Sequence, residues 1–154
     1  MNEIEVIRAQ LGLETQHALA VARAAAGAEG NVRQACDAYL EWVLGVFAER
    51  ERRLAELIDA RPGAPQPVRH ALAAALGGPG SSTAALGTLR AARADSRAWG
   101  ELAHFLEGDW QRRRSALDAA LAPHRRIADW RSALGLSAAG ILRERELYAR
   151  VAGG

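Results

Sequence analysis

The chain contains no lysine, one cysteine and one methionine, and only 5% of its 154 residues are aromatic. Each scarcity excludes something. A lone cysteine leaves no internal disulfide framework. Cys36 falls on an apolar helical stripe, where a thiol packs as a small inert hydrophobe. No apolar run approaches the roughly 18 residues of a membrane span, so no membrane partner is expected. The opening segment MNEIEVIRAQ carries two glutamates and no early apolar run, which is not the pattern of a signal peptide. A cytoplasmic location is therefore expected. Lysine-free usage rich in alanine and arginine points to a GC-rich bacterial genome.

Catalytic motifs are also missing. There is no Gly-x-Ser-x-Gly, no Cys–His arrangement with a third member, and no phosphate-cradling loop between strand and helix. The stretch GGPGSS (77–82) is glycine-rich but has neither the lysine nor the preceding strand. No catalytic residue is assigned. A net charge of +2 is too small to imply a nucleic-acid partner.

What remains is alanine, leucine, arginine and glutamate at helical spacing, with few β-branched residues and no alternating strand pattern. Ile4, Ile7, Leu11, Ala18, Val21 and Ala25 predict a helix over 2–28, closed by Gly27 and Gly30. Asn31 is the expected cap of a second helix over 32–60, striped by Cys36, Leu40, Leu44, Phe47, Leu54 and Ile58. Arg61-Pro62-Gly63 stops it. A proline-rich joint (62–67) leads to a short helix over 67–76. Ser81, Ser82 or Thr83 then caps a long helix over 83–121, with Trp99, Leu102, Leu106, Trp110 and Leu117 on its apolar side. Gly100 and Gly108 are its candidate bends, and Pro123 is its stop. A helical turn over 125–134 precedes Ser137, which caps a terminal helix to Val151. The fold class is all-α: a single-domain antiparallel bundle of three long helices plus two or more short ones.

Three acids, Glu14, Glu51 and Asp95, lie on the apolar stripes. A carboxylate facing a core must be satisfied by arginine, a metal or a hydrogen-bond donor. The reading favoured here is ion pairing that specifies helix register, with Glu51 reaching Arg8 or Arg113 across the bundle and Asp95 near Arg93, Arg97 or Arg113. Metal ligation is the alternative. Only four histidines are present, yet two stand in Glu-x-x-His pairs, Glu14/His17 and Glu101/His104. Residues three apart on a helix address one metal from one face, as in ferritin-like di-iron bundles. At about 100° per residue, Glu14 and His17 reach the edge of the bundle interior, whereas Glu101 and His104 point to solvent.

In order and rough spacing, residues 17–109 also resemble the hemerythrins. His17, Phe47-x-x-x-Glu51, His70-x-x-x-Ala74 and His104-x-x-x-x-Asp109 follow that family's ligand pattern, with Phe47 and Ala74 where it has histidine. His70 lies opposite Val68, Leu72 and Leu76 on its short helix. The resemblance implies a related bundle with a degraded site and an iron- or oxygen-related role. Its weak ligand candidates are Glu14, His17 and Glu51, holding iron or manganese.

Two surface patches also stand out. Arg112, Arg113 and Arg114, then His124, Arg125, Arg126 and Arg131, flanked by Trp110 and Trp130, would suit phosphate contacts. However, Asp109, Asp118 and Asp129 interrupt them, and successive arginines face three ways on a helix. The other patch is apolar. Tyr39, Trp42, Val43 and Val46 widen the face of the second helix so far that it must cover two neighbours or a partner. The terminal segment 135–154 carries Ile141, Leu142, Leu147, Tyr148 and Val151 and reads as a docking or dimerisation arm. The expected function is protein–protein interaction with a protein partner or a second copy, as an adaptor, chaperone-like protein or self-assembling subunit. The candidate contact residues are Tyr39, Trp42, Val46, Leu142, Leu147 and Tyr148, and no cofactor is expected.

Overall fold

The computed structural model describes residues 3–59, 81–115 and 137–153, with residues 66, 67, 69, 70 and 73 between them. It is all-α, and no strand occurs among the described residues. The expected turn over 125–134, the Pro123 stop, Leu117 and most of the short helix over 67–76 lie outside the described residues. So does the cationic segment from His124 to Arg131.

Helix α1 spans Glu3–Ala26 and α2 spans Gly30–Asp59. Between them the amides of Gly27 and Ala28 bond back to Ala24 and Ala25 carbonyls, tightening the last turn of α1. Helix α2 begins at Gly30, one residue ahead of the expected Asn31 cap. Gly30 adopts φ 56°, the left-handed region that glycine enters without a Cβ clash.

Helix α3 runs Ser82–Ala94, and of the three expected caps Ser81 is the one used, its Oγ accepting from Ala84 N at 3.0 Å. The continuous helix expected over 83–121 is not formed. It breaks at Asp95, whose backbone is extended (φ −137°, ψ 114°) and whose carboxylate accepts from Arg97 N at 3.0 Å. A short acidic side chain offers the backbone this alternative to helix, and here the local bond wins over periodicity. Helix α4 then runs Ala98–Phe105 and passes directly into a π turn, Leu106–Trp110, with helix continuing to residue 115. Gly100 lies unbroken within α4, and Gly108 sits in the π turn. Ser137 caps α5 (Ala138–Gly153) as expected, accepting from Gly140 N at 3.0 Å.

Helices α1, α2, α3 and α4 close a ring of pairwise packing, α1 on α2, α2 on α3, α3 on α4 and α4 on α1, while α5 lies against α2 and α1. Among the described residues the buried apolar side chains form one cluster. It includes Ala18, Val21 and Ala25 from α1, and Cys36, Leu40, Leu44 and Phe47 from α2. From beyond α2 come Leu89, Trp99, Leu102, Leu106 and Trp110, with Leu147 from α5. These are the stripes that the spacing defines. The attachment of α5 is thin, because only Glu144 and Leu147 of its 16 residues are buried. Burying Leu147 contributes roughly 1.5–3 kcal/mol.

Candidate functional site

Two sets of polar side chains occupy the interior. The first joins α2, α3 and the π turn around Glu51. Trp110 Nε1 donates to Ser82 Oγ (3.0 Å), and Ser82 Oγ donates to Glu51 Oε1 (2.7 Å). Arg114 donates to the same oxygen at 3.2 Å and lays its guanidinium 3.7 Å from the Phe47 ring. Phe47 and Trp110 meet edge to face. Burial pushes the Glu51 carboxyl above the usual carboxylate range, against the opposing pull of Arg114 and Ser82.

The partner of Glu51 corrects an expectation. Sequence spacing names Arg8 or Arg113; the structure pairs Glu51 with Arg114. The π turn is the cause. Its wider turn holds about one residue more than an α-turn, which sets the following residues back by one position and carries Arg114 inward.

The second set joins α1, α2 and α5. Glu14 is buried, with Oε2 accepting from Arg50 at 2.5 Å and Oε1 from Gln10 at 3.3 Å, so the ion-pair reading holds for it. Beside this pair, Glu144 of α5 is 0% exposed. Its Oε1 accepts from Tyr39 Oη at 2.9 Å and from His17 Nδ1 at 2.6 Å. The His17 ring stacks on Tyr148 at 3.7 Å, and Tyr148 meets Tyr39 edge to face. Burial, followed by the charge of Glu144, pushes the Tyr39 phenol upward, which keeps it a donor. Oε2 of Glu144 is buried without a hydrogen-bond partner among the described residues.

The third stripe acid, Asp95, is not in the core. It is exposed and serves as the stop of α3. The weak metal candidates Glu14, His17 and Glu51 are not brought together as a ligand set. Each is engaged with a different partner, and no three His, Cys, Asp or Glu side chains are grouped to hold a metal ion among the described residues. His70 and His104 are exposed, as their helical positions require. Glu101, His104 and Asp109 line a shallow outer cleft on α4, where Arg112 pairs with Asp109. A second cleft, of about 490 Å³, lies where the start of α2 meets the end of α3, with Arg93 in it tied to Asp37 and Glu41. Cys36 is fully buried, and burial raises its thiol.

The expected contact residues divide. Tyr39 and Leu147 are buried inside the chain and Tyr148 is half-buried against His17, so these three are not a free surface. The broad arc of α2 covers neighbours, α5 among them. Trp42 and Val46 are half-buried, and Leu142 is 57% exposed.

Sequence reasoning does not single out Glu144. The signal was available: Glu144, Leu147, Tyr148 and Val151 repeat at i, i+3, i+4 and i+7, one face of a helix. Leu142 stands two residues from Glu144, about 160° around the helix, and so faces out. Chemically, the arrangement gives an imidazole oriented by a carboxylate and a phenol locked as a donor. Both hold α5 to α1 and α2.

No protein-family model, no curated protein and no solved structure matches this chain.

Proposed function

We propose that the chain is an antiparallel helical bundle that acts through protein–protein interaction, with α5 as the arm that meets the partner. The observation that carries this reading is the asymmetry of α5. One face is held down by Glu144 and Leu147, while the opposite face presents Leu142, the most exposed of the large hydrophobics among the described residues. The buried acids support it as well. Glu14, Glu51 and Glu144 are engaged with Arg50, with Ser82 and Arg114, and with His17 and Tyr39, which are the contacts of a framework.

Among an adaptor, a chaperone-like protein and a self-assembling subunit, self-assembly is testable without a known partner. Sedimentation of the intact protein and of Leu142→Arg measures it. The expected result is a concentration-dependent oligomer for the parent and a monomer of equal helix content for the variant. A parent that stays monomeric overturns self-assembly through α5.

A further inference from the structure

We infer that α5 is a strap that opens from and closes onto the α1/α2 seam independently of the other helices, with Glu144 as its latch. Three observations carry this. The ring of α1, α2, α3 and α4 closes on itself, so its packing does not pass through α5. Only two of the 16 residues of α5 are buried, against four of the 13 in α3. Most important, one of those two is a carboxylate with one of its oxygens buried and without a hydrogen-bond partner among the described residues.

The physics of that carboxylate sets the behaviour. Glu144 Oε1 receives donors from two helices, His17 from α1 and Tyr39 from α2, so α5 has one specific seat. Oε2 has lost its hydration and gained no bond among the described residues. Opening α5 returns water to that oxygen, which offsets part of the apolar contact given up by Leu147, Tyr148 and Val151. Glu14 shows the opposite case on the same seam, with Arg50 and Gln10 on its two oxygens, and it belongs to the ring. Elements with few buried apolar contacts are those that open locally below the global transition. The opened seam uncovers Tyr39 and the stacking face of His17. This opening is independent of what α5 meets in trans.

Native-state hydrogen exchange of the intact chain, at rising denaturant below the unfolding midpoint, tests it. The α5 amides are expected to exchange first, through openings with a small denaturant dependence, while the α1 and α2 amides wait for global unfolding. Tyr39→Phe keeps the ring but removes one donor from Oε1, and it is expected to speed α5 exchange about tenfold. His17→Gln serves as a second latch variant with the same expectation. Exchange of α5 in one transition with α1 and α2 overturns the strap. Acceleration that is absent, or equal in every helix, overturns the latch.

Discussion

The two interior polar sets use the same chemistry to opposite ends. Around Glu51, every member meets at least two others: Ser82 bridges Trp110 and Glu51, and Arg114 touches Glu51 and the Phe47 ring. Around Glu144, two donors likewise converge on one oxygen, as Ser82 and Arg114 do on Glu51 Oε1, but Glu144 Oε2 is buried without a partner among the described residues. The first set cross-links α2, α3 and the π turn of the ring. The second attaches an outlying helix to it. A buried carboxylate is therefore not one kind of feature. Its effect depends on how completely it is satisfied and on whether its helix can leave without unfolding its neighbours.

Substitutions sharpen this contrast. Glu51→Ala removes the buried carboxylate to which both Arg114 and Ser82 donate, and a loss of about 3 kcal/mol in global stability is expected in denaturant melts. Iron and manganese content, measured by elemental analysis on both proteins, should be the same. A stoichiometric metal lost with Glu51 would instead restore the ligand reading. Glu144→Ala should cost less, about 1–2 kcal/mol by the same melts. The reason is general: once α5 opens, its contacts no longer count, so the free energy of opening caps the effect. A Glu144→Ala penalty as large as that of Glu51→Ala would show the two regions to be equivalent.

The smallest effect is the dependence on pH. Glu51 is raised in the folded chain, so the folded state holds its proton more tightly than the unfolded state does. Its contribution is complete below the ordinary carboxylate range and is lost as pH rises through the raised folded value. Stability should decline across that window, and Glu51→Gln, which has no proton to lose, should flatten the decline in melts followed against pH. Exposed Glu49 behaves oppositely, because Arg52 and Arg53 hold it down to about 2.

Periodicity made most of the framework legible. The described parts of the α1 and α2 stripes (Ala18 to Ala25 and Cys36 to Phe47), the Ser81 and Ser137 caps, the buried Cys36 and the exposed histidines at 70 and 104 all follow from spacing and burial preference. It failed where a local bond or an extra residue outweighs the stripe. Asp95 sits at a core position of an ideal helix, yet its carboxylate ends that helix. Arg114 is one position off the ideal face, yet it faces inward. Glu144 is hard to find for a different reason: it stands in sequence among Arg143, Arg145 and Glu146, which on a helix point to different sides.

The π turn has one more consequence. It is a phase shift: residues before Leu106 keep ordinary helical time, and those after Trp110 run about one beat late. Any ordinary helix matched to this one position by position falls out of step halfway along. The residue that then looks equivalent to Arg114 is its neighbour. A surplus residue stored in one turn decides which of three consecutive arginines closes the interior.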